Sequence, residues 1–144
     1  MTAAGTPAGY SGTPLVQKLG LQPGGTMVLV NAPGSITAIM EPPDGAMITG
    51  NLVPRSRLIM LFCKDTAALK KELPAVAKFL AADGSLWVSW PKKTSRLFVD
   101  LTEDGIRAMA LPRGLVDVKV CAVSDDWSGL KLMVRKENRA DWKP

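Results

Sequence analysis

Apolar residues in this chain come in short blocks whose spacing changes along the sequence. The run TMVLV at 26–30 is nearly unbroken and closes on Asn31-Ala32-Pro33-Gly34. The run RLIMLFC at 57–63 is the longest apolar block, and SLWVSW at 85–90 repeats the pattern before Pro91 stops it. Unbroken blocks of this kind predict strands covered on both faces. A weaker strand is expected at 46–49, after the turn Pro42-Pro43-Asp44-Gly45. Between the strong blocks the period lengthens. Leu69, Leu73, Val76, Ala77 and Leu80 fall on one side of a helix opened by Lys64-Asp65, and Asp83-Gly84 reads as its end. Pro74 either kinks that segment or starts its second half.

The ends of the chain follow other patterns. Residues 1–9 are small and Gly-rich and read as a disordered tail. Thr13 is expected to cap a short helix with Pro14 at its first position and Gly20 after its last. A brief helix is expected at about 35–40. Asp100-Leu101-Thr102-Glu103 has capping-box spacing, with Asp or Thr as the cap of a helix running to about Ala110. Residues 115–123 and 130–135 alternate, with Val116, Val118 and Val120 set against Asp117 and Lys119. That predicts an antiparallel pair at a sheet edge, joined by a loop holding Trp127. A loose tail is expected at 137–144. The sum is one α/β domain over 10–136, a three-layer Rossmann-like sandwich with a mostly parallel sheet and a C-terminal antiparallel hairpin.

Composition narrows the chemistry. The 144 residues contain no histidine, which removes Ser-His and Cys-His nucleophile pairs, the HExxH metal helix and histidine proton shuttles. Neither GxxxxGK[ST] nor GxSxG occurs. Net charge is 18 − 13 = +5, with basic residues scattered rather than gathered in a nucleic-acid motif. That argues against nucleic acid and permits a small anionic ligand or a protein partner. No apolar run approaches a membrane span, no secretion signal is visible, and two cysteines without CxxC spacing point to a reducing, cytoplasmic setting.

Several stretches resemble a family of small bacterial proteins, the domain-of-unknown-function family three-zero-five-two. They are YSGTPLVQKLGL at 10–21, LVNAP at 29–33, DGSLWVSWPKK at 83–93, DLTEDGIR at 100–107 and GLVDVKVCAVSDDWSGLKLMVRK at 114–136. The layout resembles a reduced Rossmann-like methyltransferase fold. That resemblance implies a strand order in which Cys63 and Cys121 stand two strands apart and stay unpaired. It names no activity and no cofactor. S-adenosylmethionine enzymes of that fold place an acid and several glycines after the first strand and a carboxylate after the second. Here those places read Asn31-Ala32-Pro33-Gly34-Ser35 and Thr49-Gly50-Asn51, so S-adenosylmethionine is expected to bind weakly or not at all.

In open α/β sheets ligands sit outside the carboxyl ends of the strands. The candidate ligand-binding residues are therefore Asn31, Ser35, Lys92, Lys93 and Trp127, with the lysines and the Ser35 hydroxyl holding an anion. Tyr10-Ser11-Gly12-Thr13 could close over the same rim. Glu103, Asp104, Asp125 and Asp126 are acid, base or metal candidates, weighed against helix-dipole pairing and a hydrophilic hairpin tip. Cys63 and Cys121 read as core residues, as do Trp87 and Trp90. The sequence reading favours a non-catalytic domain binding a small anion or a protein. A divergent methyltransferase-like enzyme and a structural or regulatory subunit are the alternatives.

Overall fold

A computed structural model describes residues 14–142. Its elements are α1 (Leu15–Leu19), β1 (Thr26–Val30), α2 (Gly34–Thr37), β2 (Met47–Thr49), β3 (Ser56–Phe62), α3 (Thr66–Ala77), β4 (Leu80–Pro91), α4 (Glu103–Ala110), β5 (Leu115–Ala122) and β6 (Trp127–Val134). Two short 3-10 turns follow α4 and β6, at Leu111–Arg113 and Lys136–Asn138. The six strands form one sheet in the order β2-β1-β3-β4-β6-β5. The first four are parallel, and β6 runs antiparallel between β4 and β5.

Both faces of the sheet are covered, as the unbroken apolar strands require. On one face Leu69, Leu73 and Val76 of α3 and Ile106 and Ala110 of α4 pack on Ile59, Leu61, Val88, Leu130 and Leu132. On the other, Leu15, Val16 and Leu19 of α1 and Ile36 of α2 pack on Met27, Met60, Phe62 and Trp87. Trp87 and Trp90 are both core residues, on opposite faces. Trp87 donates its indole N–H to the Leu19 carbonyl at 2.8 Å, which joins α1 to the centre of the sheet. Cys63 and Cys121 are free thiols, and β4 and β6 lie between the strands that carry them.

Five local features differ from the sequence reading. The first helix starts one residue late: Pro14 is its extended N-cap, and the carbonyl of Pro14 accepts from the Gln17 and Lys18 amides. The expected Thr13 cap, the 1–9 tail and the 10–13 stretch lie outside the described residues. Asp83-Gly84 does not end α3. The strand β4 already begins at Leu80, and four residues, 81–84, stand against Arg57 alone in β3 as a bulge. The Arg57 guanidinium holds the bulge by donating to Asp83 at 2.8 Å.

Pro74 sits inside an uninterrupted α3, which loses one ladder bond, the one an amide at 74 would give to Lys70. Val118 and Val120 are not core residues. A bulge between Asp117 and Lys119 turns them outward, and they are 50% and 45% exposed. The bulge and Lys119 blunt this edge against pairing with another strand. Finally, the stretch expected to be loose after Lys136 folds back on the sheet. Trp142 donates its indole N–H to the Leu80 carbonyl at 2.8 Å and packs against the α3–α4 core.

Candidate functional site

Strand order reverses at β1. Its neighbours are β2 on one side and β3 on the other, all parallel, with Val28 opposite both Thr49 and Ile59. The connections leaving β1 and β3 then part. The helix after β1 lays Ile36 on one face of the sheet, and the helix after β3 lays Leu69, Leu73 and Val76 on the other. Loops that diverge in this way open a crevice above the carboxyl ends of β1 and β3, where open α/β sheets bind ligands.

The segments that border this position are Asn31-Ala32-Pro33-Gly34-Ser35 after β1 and Cys63-Lys64-Asp65 after β3. Asn31 takes the left-handed conformation at φ 60. Asparagine tolerates that region better than most residues, and its presence at a strand end is a mark of functional sites. Pro33 caps α2, and its carbonyl accepts from the Ile36 and Thr37 amides. Asn31 and Ser35 are both exposed. Beside them, the Thr49 hydroxyl accepts from the Asn51 amide in the turn after β2. Asp65 is occupied as the N-cap of α3, accepting from the Ala68 amide at 2.8 Å. Burial, with Glu72 and Asp65 nearby, pushes the Cys63 thiol up to about 12, so it is no thiolate nucleophile at neutral pH.

Lys92 and Lys93 stand on the same rim, farther along the sheet. They line a depression of about 400 Å³ with Trp90, Thr102, Glu103, Asp104, Arg107 and Ser128. Asn31 and Ser35 do not line it, so the structure brings the two lysines together without adding the β1 turn. Trp127 does not line the depression either. It is the first residue of β6, paired with Pro91 in the sheet rather than held in a loop. It is 7% exposed and meets Phe62 edge-on, with ring centroids 5.4 Å apart.

The acids beside the lysines are tied up. Arg107 donates to Glu103, to Asp104 at 3.0 Å and to Asp117 at 2.9 Å, drawing α4 onto β5. Hydrogen bonds donated to the Asp117 and Glu103 carboxylates raise the Arg107 pKa further, and the guanidinium holds the Asp117 carboxyl below its usual value. A group with a depressed folded pKa adds stability above its unfolded pKa and loses it as pH falls through the folded value. Asp117→Asn should therefore lower the melting temperature at pH 7, and the gap from wild type should close as pH falls through the depressed folded pKa. A gap that stays constant across an acid titration would rule out the ion pair as its cause.

Asp126 accepts from the Ser95 hydroxyl at 2.9 Å. Among the described residues no three metal-ligating side chains converge, and no helix is long and apolar enough to cross a membrane. One role escaped the sequence. Of the two cap candidates before α4, Thr102 takes the position and accepts from the Gly105 amide. Asp100 instead reaches α3 and accepts from the Thr66 amide at 2.8 Å.

The fold is that of the Rossmann-like methyltransferases. LepI, solved with SAH and a substrate analogue as a cysteine-to-alanine variant, matches with a TM-score of 0.50 and 14% identity. The match covers 84% of this chain and 39% of that one, so the chain spans well under half of LepI. LepI in complex with SAM matches at a TM-score of 0.49, with the same identity and coverage. No protein-family model matches the chain. No curated protein matches it either.

Proposed function

We propose that this chain is a divergent methyltransferase-like domain that binds an S-adenosylmethionine-class ligand in the crevice above β1 and β3. It is also proposed to belong to the domain family named above on its sequence stretches. The observation that carries the reading is the reversal of strand order at β1, with its two connecting loops parting to opposite faces of the sheet. The likeness to SAM- and SAH-bound LepI supports the choice of ligand class.

The residues present fit that ligand through amides and hydroxyls rather than charge. Asn31 and Ser35 replace the acid and glycines usual after the first strand, and Asn51 stands where a ribose-binding carboxylate is usual. Neutral contacts of this kind are weaker than charge-assisted ones, so the expected affinity is modest. When bound, the ligand would supply an activated methyl group. Methyl transfer needs a placed acceptor rather than a histidine, so the missing histidines do not argue against it.

A second reading, a small anion held by Lys92 and Lys93, rests on their shared depression. Neither lysine is in an ion pair among the described residues. Against it, Glu103 and Asp104 line the same depression.

One titration separates the two readings. Calorimetry with S-adenosylhomocysteine should give a dissociation constant between about 10 μM and 1 mM, a free energy of about −7 to −4 kcal/mol. Asn31→Gly keeps the left-handed backbone and removes the amide, so it should weaken binding at least about fivefold without lowering the melting temperature. Lys92→Ala with Lys93→Ala should leave that binding unchanged. No heat at millimolar ligand sinks the first reading. A sulfate-dependent rise in melting temperature that the double lysine variant abolishes, and Lys70→Ala with Lys71→Ala does not, would put the second in its place.

A further inference from the structure

One cavity among the described residues shares no lining residue with the β1 crevice. It is a groove of about 630 Å³ between α3 and α4, lined as well by Trp142. Its apolar lining comes from Leu69, Leu73, Pro74 and Ala77 of α3, from Ala108 and Met109 of α4, and from Pro112 and Trp142. Small residues at 77 and 108 leave room between the helices that larger side chains would fill. Pro74 and Met109 are half-buried and give the groove apolar surface that an incoming side chain can cover.

The polar lining carries one sign only. Lys70, Lys78 and Arg113 border the groove, and no carboxylate does. All three are exposed, and none is in an ion pair among the described residues. Lys70 and Lys78 are eight residues apart on α3, about 12 Å along its axis at 1.5 Å per residue. A single anionic head group cannot reach both. Matching them takes negative charges spread along a body at least two helical turns long, with apolar side chains between. An amphipathic helix with acidic margins has that form, and helix-in-groove docking is a common mode of recognition.

We propose that the groove between α3 and α4 docks an acidic amphipathic helix of a partner protein. The partner's apolar stripe covers Pro74, Met109 and Trp142, and its carboxylates meet Lys70, Lys78 and Arg113. Charge complementarity sets the orientation and the encounter rate, and the small apolar area keeps the complex transient. The site is independent of the reading of the β1 crevice, and either can fail without the other.

The test uses the full chain and three fluorescein-labelled 16-residue peptides. One is helical, with leucines at i, i+3 and i+7 and glutamates on both margins. The second is a scramble of the same composition, and the third is the helical peptide with lysine in place of glutamate. A single-stranded oligonucleotide of matched charge is the fourth probe. Anisotropy should rise with the acidic helix at least tenfold more tightly than with the scramble or the oligonucleotide, and not at all with the basic peptide. Lys70→Glu with Lys78→Glu, and Arg113→Glu separately, should weaken binding at least tenfold with circular dichroism unchanged. Lys71→Glu and Lys136→Glu, whose side chains do not line the groove, should bind as wild type does. Equal binding of helix and scramble, tighter binding of the oligonucleotide, or indifference to the groove variants each overturns the proposal.

Discussion

Replacing Trp87 with alanine should lower stability by about 3–5 kcal/mol, a large share of what holds a domain of this size. Trp87 is fully buried and pairs across the sheet with Met60 and Lys131. Its ring has space because residue 129 is glycine: a Cβ there would stand 3.2 Å from the indole. Alanine would leave a cavity at the centre of the sheet and strip α1 of its tie, since the Leu19 carbonyl accepts from the indole N–H. Trp87→Phe separates the two effects. It keeps most of the ring and loses the donor, and should cost about 1–3 kcal/mol for the unpaired carbonyl. Urea denaturation measures both. A loss below about 1 kcal/mol for Trp87→Ala would mean that the ring is not seated as described.

Gly84→Ala should cost about 1–3 kcal/mol, because the bulge in β4 has no space for a methyl group. A Cβ at 84 would lie 3.0 Å from the Arg57 carbonyl oxygen and 3.1 Å from the Arg57 Cα, both backbone atoms of the neighbouring strand. Flexible side chains give way cheaply, and a paired strand does not. Gly34→Ala is the control, since a Cβ there meets nothing within 4 Å and its φ is negative. The control should change stability by less than about 0.5 kcal/mol. Equal midpoints for the two variants in denaturant would refute the tight packing of the bulge.

The strands of the core were legible because each is apolar without interruption. TMVLV, RLIMLFC and SLWVSW are found within a residue of the expected ends, apart from the extension of β4 back to Leu80. That extension was hidden because Asp83-Gly84 is turn chemistry, and the Arg57–Asp83 pair and the Trp142 bond to Leu80 support the backbone pairing of Leu80 with Ser56. Both contacts join residues far apart in sequence, where periodicity has no reach. The outward turn of Val118 and Val120 was hidden for a related reason. A bulge resets the alternation that a period-two reading assumes. Within the candidate site, the carboxyl-end rule located Asn31, Ser35, Lys92 and Lys93 on one rim. It could not say that the lysines share their depression with α4 rather than with the β1 turn. That separation depends on strand order, which puts β3 between β1 and β4. Trp127 was expected in a loop, either folded back over the sheet end or walling a crevice, while pairing with Pro91 makes it the first residue of β6.

Asp100 makes the amino end of α3 depend on a residue far along the chain. Its carboxylate caps the Thr66 amide from 34 residues downstream, so the first turn of α3 lacks that partner until the chain has passed through β4 and returned. Before then, Asp65 alone serves the amino end of a 12-residue helix that also lacks one bond at Pro74. An isolated helix of that length is marginal in water even with good helix formers. The long-range bond therefore ties the stability of the first turn of α3 to the chain segment that follows β4.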